Sequence, residues 1–312
     1  MINVFIDGKE GTTGLQIYDR LEKRGDVRLI TLSEESRKDV KARQECLNSA
    51  DIAFLCLPDA AAKESVSLVS NSHTKIIDAS TAHRTDSNWT YGFPELSKER
   101  RAEIGECKRL ANPGCHATGF ISLVAPLVRG GIAKPDYPFV AHSLTGYSGG
   151  GKKTIAQYQS GERDIALSSP REYALGMSHK HLPEMTAQCG LEFAPAFNPV
   201  ICDFYSGMCV TVPIITRLLN KTISIDALRE FYAEYYSGRN IVKVAAADET
   251  PDYLASNAMT GTDGLKIYVG GNKDYIFLAS VFDNLGKGAS GAAVQNMNIM
   301  CGIDERTSLT LI

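Results

Sequence analysis

The sequence predicts an α/β protein that begins with a parallel β-sheet and continues into an α+β region with a mixed, largely antiparallel sheet. Three observations favour this fold class. Short apolar runs alternate with helical periodicity up to Cys115, as in repeated βα units. A glycine-rich turn follows the first apolar run directly. From Phe139 onward, strand patterns outnumber helical ones, which is typical of a sheet with many antiparallel pairings.

The first strand and helix are joined by a turn that suits a phosphate. Residues 2–6 predict a buried strand and residues 15–21 a helix, and the turn between them reads Gly8-x-x-Gly11-Thr12-Thr13-Gly14. Glycines let the backbone approach a pyrophosphate, which rests on the helix N-terminus. The spacing is a variant of G-x-G-x-x-G, and a tight turn without a ligand is the alternative. The order favours a Rossmann-type dinucleotide-binding domain.

The end of the second strand bears on which dinucleotide binds. Residues 27–32 predict this strand, and Ser33, Arg37 and Lys38 follow it. An acidic residue here would hold the ribose of NAD, whereas basic residues accommodate the 2′-phosphate of NADP. The pattern indicates NADP(H), although Glu34 and Glu35 are also present and a solvated loop of mixed charge is the alternative.

Further βα units follow, and their loops carry candidate anion ligands. Residues 53–57 and 75–78 predict strands, and the second leads into Ser80 and Arg84. Ligands bind at the carboxyl ends of parallel strands, so both side chains are candidates for an anion, with an isolated surface arginine as the alternative. Residues 89–96 are expected to form a loop packed over the site.

Cys115 is the candidate nucleophile. It follows Asn112-Pro113-Gly114 at a turn between a short apolar run and an apolar, helix-length segment, residues 120–128. Free N–H groups and the dipole at a helix N-terminus stabilise a thiolate. The alternative is a small buried apolar residue.

A pair of histidines supplies the candidate base. His179 and His181 lie two residues apart in an extended segment, ahead of a helix for which Pro183 suits the first turn. Histidine transfers protons near neutral pH. The alternatives are polar loop histidines or a metal pair, which lacks a third ligand nearby. Residues 145–153 resemble a Walker A motif, but Lys153 stands where Ser or Thr should bind Mg²⁺, so we expect a flexible loop instead.

Composition excludes several functional classes. The formal net charge is −3 with scattered basic residues, which gives no support for a nucleic-acid or membrane partner. The 8 cysteines form no C-x-x-C pair and no metal pattern, and no signal peptide or membrane span is visible. We therefore expect a soluble cytoplasmic protein without a metal site.

The motifs together resemble those of N-acetyl-γ-glutamyl-phosphate reductase of the short-chain type. They run along the whole chain in a specific order: Gly8-x-x-Gly11-x-x-Gly14, Asp78-Ala-Ser80-Thr-Ala-His-Arg84, Tyr91-Gly-Phe-Pro94-Glu95, Asn112-Pro-Gly-Cys115, His179-Lys-His181-Leu-Pro-Glu184 and Asn284-Leu-Gly286-Lys-Gly-Ala-Ser-Gly291. More distantly, the family is related to aspartate-semialdehyde and glyceraldehyde-phosphate dehydrogenases.

The resemblance implies an enzyme of arginine biosynthesis. Cys115 would attack the acyl phosphate of N-acetylglutamyl phosphate, expel phosphate and form a thioester, which NADPH would reduce to the semialdehyde. His181, or less favourably His179, would be the acid–base group, and Glu184 could orient a histidine or the acetamido group. Ser80, Arg84 and Asn112 would bind the substrate, and Asn284 and Gly286 would lie near the nicotinamide.

The resemblance also implies a domain plan. Residues 1–114 and 287–312 would form the dinucleotide-binding domain, and residues 115–286 the catalytic and oligomerisation domain of a homotetramer or homodimer. Two other functions stay open: a reductase of another acyl phosphate, as in aspartate-semialdehyde dehydrogenase, and a non-catalytic NADP-binding sensor in which Cys115 is structural.

Overall fold

The computed structural model describes residues 1–33 and 35–311, which form two compact units. The first unit comprises Met1–Gly114 and Ala289–Leu309, and the second comprises Cys115–Gly288 with Thr310 and Leu311. The change of unit thus falls after residue 288, where we expected it after residue 286. Thr310 belongs to the second unit because Asp263 N–H donates to its carbonyl (2.7 Å) and Asp263 Oδ2 accepts from its N–H (2.9 Å).

The strands and helices alternate in the first unit and segregate in the second. The strands are β1 Ile2–Asp7, β2 Val27–Ile30, β3 Ile52–Leu55, β4 Lys75–Asp78, β5 Thr90–Tyr91, β6 Arg109–Ala111, β7 Val140–Gly146, β8 Arg171–Glu172, β9 Ala196–Cys202, β10 Met208–Ile215, β11 Val242–Val244, β12 Leu265–Gly271 and β13 Tyr275–Phe282. The helices are α1 Thr12–Leu21, α2 Val40–Ser49, α3 Asp59–Leu68, α4 Lys98–Glu106, α5 Cys115–Arg129, α6 Gly151–Gln159, α7 Leu182–Cys189, α8 Ile225–Tyr235 and α9 Gly291–Met300. Across the described residues, every helix is too short or too polar to cross a membrane.

The sheet of the first unit is parallel throughout. Its strand order is β2-β1-β3-β4-β6-β5, so the order reverses beside β1, where open α/β sheets bind ligands. Adjacent residues of β1 face opposite sides, since Val4 packs in one apolar core with Phe54 and Phe5 packs in a second core with Ala53. Both faces are covered, as a parallel sheet requires. The predicted Rossmann-type domain is confirmed.

Helix α9 is part of the core of the first unit. Val294 and Met297 lie in the apolar core on one face of the sheet. The Asn296 amide donates to Gly92 O (2.9 Å) and Asn112 Oδ1 (3.1 Å). A side chain at position 92 would meet Asn296 Nδ2 at 2.5 Å, so the contact requires glycine there. The helix therefore fixes the segment that leads toward Cys115.

The sheet of the second unit is mixed. Its order is β11-β12-β13-β10-β7-β9-β8, with parallel pairings for β11–β12 and β7–β9 and antiparallel pairings elsewhere. Helix α5 packs against β10 and β13, and Gly119 allows this because a Cβ there would collide with Val210. The predicted α+β region with a largely antiparallel sheet is confirmed.

Three stretches differ from expectation. Helix α2 was missed, because only Arg43 and Leu47 of its sequence are buried and the apolar periodicity is weak. The predicted loop at residues 145–153 instead ends β7 and begins α6. Residues 89–96, expected as a loop, include β5, and Tyr91 and Phe93 are buried inside the first unit. Their packing over a site stays a prediction.

Candidate active site

A cavity of about 520 Å³ lies in the first unit at the carboxyl end of β1. This volume suits part of a cofactor or a small ligand. Of the predicted cofactor residues, five line it: Gly8, Gly11, Ser33, Arg37 and Lys38. The other three of the turn, Thr12, Thr13 and Gly14, form the first turn of α1 and do not line the cavity.

The glycine-rich turn is shaped by close backbone contacts. Gly8 has φ +85°, and a side chain there would collide with the Cys56 carbonyl. At Gly14, a Cβ would lie 2.5 Å from Gly8 O, so α1 begins directly against the turn. Only glycine fits both positions. The Leu15 N–H donates to Gly11 O (2.9 Å), which starts the helix beside the cavity.

The polar residues that were predicted to bind the cofactor and the buried ion pair of the cavity differ in exposure. Ser33, Arg37 and Lys38 are exposed, whereas Asp7 and Arg43 are buried. Arg43 Nη2 lies 3.1 Å from Asp7 Oδ2 in an ion pair. The sequence reading missed Arg43 because it missed α2. Glu34, which had weighed against NADP, lies outside the described residues.

The three predicted substrate residues of the first unit are buried and hydrogen-bonded within that unit. Ser80 Oγ donates to Asp78 Oδ2 at 2.7 Å. Arg84 Nε donates to Asn112 O (2.9 Å) and Nη2 to Ala79 O (3.0 Å). Asn112 Nδ2 donates to Ala289 O at 3.1 Å. These bonds hold the strand-end turns in shape, and the assignment of Ser80, Arg84 and Asn112 to a substrate anion stays a prediction.

Cys115 is the first residue of α5, five residues before the helix was expected to begin. The N-terminus of the helix therefore lies at the cysteine itself, where free N–H groups and the dipole favour a thiolate. Cys115 is half-buried, whereas residues 116–127 of the helix are buried. A Cβ at Gly288 would lie 2.9 Å from Cys115 Cβ, so glycine is needed behind the nucleophile.

His116 joins Cys115 to the predicted histidine pair. Its ring lies 5.4 Å from that of His179 and 5.6 Å from that of His181, measured between centroids. The rings of His179 and His181 are 4.7 Å apart, and the His181 N–H donates to His179 Nδ1 at 3.1 Å. The second unit thus gathers His179 and His181 around His116, the residue after the cysteine, and the sequence had indicated two of these three histidines.

Glu184 lies one turn into α7, the helix that packs against α5. It is buried, as is His181. Neither residue is a surface group, and the roles of His181 and Glu184 stay predictions. Across the described residues, no group of three or more His, Cys, Asp or Glu side chains could hold a metal ion.

Two hydroxyl groups complete the surroundings of His116. Its Nδ1 lies 2.7 Å from Ser143 Oγ of β7, and its Nε2 lies 2.6 Å from Tyr173 Oη. Sequence reasoning missed His116, Ser143 and Tyr173. His116 could have been found by its place next to Cys115, but the two hydroxyls come from distant segments and carry no local signal.

The predicted nicotinamide residues make contacts inside the second unit. Asn284 Oδ1 accepts from Gly207 N (2.9 Å), and its Nδ2 donates to Ser148 Oγ (3.0 Å). A side chain at Gly286 would collide with the Thr262 carbonyl. These contacts fix the segment after β13, and a role toward the nicotinamide stays a prediction for Asn284 and Gly286.

Two family models match the chain. Residues 3–104 match the NAD binding domain of semialdehyde dehydrogenases, and residues 115–284 match their dimerisation domain. Among solved structures, aspartate semialdehyde dehydrogenase II from Vibrio cholerae superposes with a TM-score of 0.73 at 18% identity, over 97% of this chain and 99% of that one. The likeness in structure shows the fold.

Curated relatives are similar over nearly the whole length. An N-acetyl-γ-glutamyl-phosphate reductase of Burkholderia cenocepacia is 44% identical over 303 residues, 96% of this chain and 97% of that protein. A protein of the same name, numbered 2, from Nostoc sp. is 43% identical over 318 residues, 98% of each chain. Both compact units are included in these matches.

Proposed function

The chain belongs to the N-acetyl-γ-glutamyl-phosphate reductase family of the semialdehyde dehydrogenases, and from this premise we propose the reaction that it catalyses. The reaction is the NADPH-dependent reduction of N-acetyl-L-glutamyl 5-phosphate to N-acetyl-L-glutamate 5-semialdehyde and phosphate. This is a step of arginine biosynthesis. One observation carries the proposal: Cys115 begins a buried helix, and the rings of His179 and His181 lie within 5.6 Å of the ring of His116, the next residue.

The proposed chemistry starts at Cys115 Sγ. The thiolate attacks the carbonyl carbon of the acyl phosphate, a C–S bond forms, and the C–O bond to phosphate breaks with its electron pair leaving on phosphate. An acyl phosphate is already activated, so the step needs a thiolate more than a strong base. The N-terminus of α5 supplies part of the stabilisation of that thiolate.

We assign the acid–base role to His181 and a supporting role to His179. His179 Nδ1 accepts the backbone N–H of His181, so that nitrogen is committed to holding the segment. His181 is buried at the start of α7, where it can stabilise the thiolate and later donate a proton as the aldehyde forms. Glu184, one turn further on, is proposed to orient a histidine or the acetamido group.

The family uses a nicotinamide cofactor, and we propose that this chain prefers NADP(H). The cavity fits such a group, because Gly8 and Gly11 bring backbone to it and Arg37 and Lys38 place two cations at its rim. Cations there would hold a 2′-phosphate. When bound, the cofactor supplies the hydride that reduces the acyl group.

We propose that the protein is a homo-oligomer that uses the outer face of the second sheet. Val140 on β7 and Tyr275 and Phe277 on β13 are large apolar side chains exposed on that sheet. Exposed apolar surface of this kind marks association sites. Size-exclusion chromatography of the wild type and of Phe277→Asp tests this, because a charge in a buried interface should shift the elution toward the monomer.

The function is tested by running the reaction in reverse. N-acetylglutamate semialdehyde, NADP and phosphate are mixed with the protein, and formation of the reduced nicotinamide is followed by absorbance. We expect activity that requires phosphate. Activity with aspartate semialdehyde instead would move the enzyme to another acyl phosphate, and inactivity with both, while NADP still binds, would leave a cofactor-binding sensor.

A further inference from the structure

Arg171 lies on the face of the second sheet that helix α5 covers. Arg171, Ile201 and Thr145 are paired across β8, β9 and β7, so their side chains form one row on one face, which we name the terminal row. Ser143 lies two residues before Thr145 and shares this face, and both are buried. Its Oγ lies 2.7 Å from Nδ1 of His116 on α5. The face of Arg171 is therefore the one beside the active-site helix.

Helix α5 begins at the end of the sheet where the terminal row lies. His116 contacts Ser143, whereas Phe120 packs on Phe139, just before β7 begins, with ring centroids 6.2 Å apart. The helix therefore runs opposite to β7. Cys115, the first residue of α5, thus lies toward the carboxyl end of β7, the end that carries the terminal row.

Tyr158 of α6 holds the guanidinium of Arg171. The Tyr158 hydroxyl accepts from Arg171 Nη2 at 2.9 Å, and the centroid of its ring lies 5.3 Å from Cζ. Tyr158 is itself buried and stacks on Tyr147, with ring centroids 4.5 Å apart. An aromatic ring and a phenol oxygen therefore hold this cation in place and leave its charge uncompensated.

The guanidinium still has donors without an acceptor. Its Nε is buried and makes no hydrogen bond to any residue that the structure describes. Within the described ranges, no carboxylate pairs with Arg171, whereas Arg163 nearby donates to both oxygens of Asp203, at 2.8 and 2.7 Å. A buried donor without an acceptor is unfavourable, so we expect a ligand to supply the acceptor. A planar guanidinium suits a carboxylate.

We propose that Arg171 binds the α-carboxylate of N-acetylglutamyl phosphate and thereby selects this substrate. The inference rests on the proposed function, in which Cys115 attacks the other end of the molecule. The α-carboxylate is four carbon–carbon bonds from the reacting carbonyl carbon, about 5 Å in an extended chain. Successive rows on one sheet face are about 7 Å apart, so the substrate is long enough to reach from the start of α5 to the terminal row.

The experiment compares two aldehydes in the reverse reaction, with NADP and inorganic phosphate as the other reactants. One is N-acetylglutamate semialdehyde, and the other is 4-acetamidobutanal, which has a hydrogen in place of the α-carboxylate. The variants are Arg171→Gln, which removes the charge, and Arg171→Lys, which keeps the charge but not the planar fork. Arg163→Gln is the matched control, because Arg163 also bonds Tyr158, at its carbonyl (3.4 Å), but is already paired with Asp203.

We expect the wild type to have a kcat/KM about a hundredfold higher for N-acetylglutamate semialdehyde, since the other aldehyde cannot form the charged hydrogen bonds. Arg171→Gln should lower kcat/KM for N-acetylglutamate semialdehyde by about thirty- to a hundredfold and that for 4-acetamidobutanal by less than about threefold. Arg171→Lys should lie between the wild type and Arg171→Gln. The KM for phosphate should stay unchanged, and Arg163→Gln should match the wild type with both aldehydes.

Three results would overturn the inference. An unchanged kcat/KM in Arg171→Gln would show that Arg171 does not bind the substrate. A raised KM for phosphate with equal losses for both aldehydes would place the phosphate at Arg171 instead. Equal losses with an unchanged KM for phosphate and a lower melting temperature would give Arg171 a structural role only.

The wild type alone separates this inference from the proposed function. A wild type that is inactive with N-acetylglutamate semialdehyde contradicts the proposed function and the inference with it. A wild type that is active but has the same kcat/KM for both aldehydes contradicts the inference alone, because the α-carboxylate would then contribute nothing to recognition.

Discussion

The cysteine beside the nucleotide cavity and the cysteine at the head of α5 lie in opposite surroundings. Cys56 follows β3 in the first unit, and burial, followed by the charges of Asp78 and Asp7, raises its pKa to about 12. Cys115 lies at the positive end of a helix, directly before His116, whose ring lies beside that of His179. The same side chain is thus held as a thiol in one region and favoured as a thiolate in the other.

The difference teaches how each unit uses its polar groups. Around the nucleotide cavity, the buried charges bind one another: Asp7 accepts from Arg43 Nη2 and, at 2.7 Å, from Ser65 Oγ. Such pairs fix the shape of the cavity. Beside Cys115, the neutral His116 lies between the hydroxyls of Ser143 and Tyr173, and such a chain can reorient protons without moving a charge. The polar groups of the first region thus suit a cavity of fixed shape, and those of the second suit the transfer of a proton.

The contrast between the two cysteines is tested most severely by replacing each cysteine with serine. Cys115→Ser should lower kcat by at least about a thousandfold, because a serine hydroxyl is a poor substitute for a thiolate. Cys56→Ser should retain activity within about threefold, since the Cys56 thiol stays protonated and takes no part in the proposed reaction. Steady-state kinetics of both variants measures this. An equal loss in Cys56→Ser would show that the two cysteines are not functionally different.

A smaller effect is expected from filling the space behind the nucleophile. Gly288→Ala places a methyl group 2.9 Å from Cys115 Cβ, so either residue must shift, and a shift of Cys115 would displace its sulfur. We expect kcat to fall by about ten- to a hundredfold, since small misplacements of a reacting group are costly. Gly161→Ala is the matched control, because a Cβ there meets nothing within 4 Å.

The measurements on Gly288→Ala should distinguish a displaced Cys115 sulfur from a loss of folding stability. The melting temperature is measured alongside kcat, and the rate of Cys115 alkylation reports on the sulfur directly. A variant with wild-type kcat would show that the nucleophile tolerates displacement, and the tight packing at Gly288 would then matter only for stability.

Removing the positive charges at the rim of the nucleotide cavity should change the KM for NADPH and leave kcat unchanged. Replacing both Arg37 and Lys38 by alanine removes two exposed cations that line the cavity. The KM for NADPH should rise by about ten- to a hundredfold, with little change for NADH, because only NADPH carries the 2′-phosphate. Arg28→Ala, an exposed cation of β2 that does not line the cavity, is the control. Equal losses for both cofactors would contradict the NADP preference.

The sequence revealed those features that depend on residues close together in the chain. The turn from Gly8 to Gly14 and the presence of a helix after Cys115 depend on neighbouring residues, so the local pattern identified them, although α5 begins five residues before the expected start. Ser143 and Tyr173 reach His116 from 27 and 57 residues away, and only the pairing of β7 in the sheet brings the serine there. Contacts of this kind leave no periodic pattern.

The missed helix α2 shows the same limit of sequence patterns within a single element. Helix α2 buries only Arg43 and Leu47, and Arg43 is buried because Asp7 at the end of β1 receives it. A positively charged side chain at a core position counts against a helix in any reading of apolar periodicity. The fold class survived this error because the strands on either side were strongly apolar.

The smallest effect concerns stability in acid, and it tests whether His116 is neutral in the folded protein. The pKa of His116 falls from its usual 6.5 to about 3 in the folded protein. Between these values the unfolded chain binds a proton that the folded protein does not, so stability is lost as pH falls. From about pH 6 to about pH 5, the loss from His116 should be roughly 1 kcal/mol.

Denaturant unfolding at the two pH values measures this loss in the wild type and in His116→Gln, which cannot titrate. The variant should be less stable at both values but should lose about 1 kcal/mol less between them. His142→Gln, at an exposed histidine of β7, should behave as the wild type does. If His116→Gln shows the full wild-type loss, His116 is charged in the folded protein. Both ring nitrogens would then donate, so Ser143 and Tyr173 would both have to accept from His116.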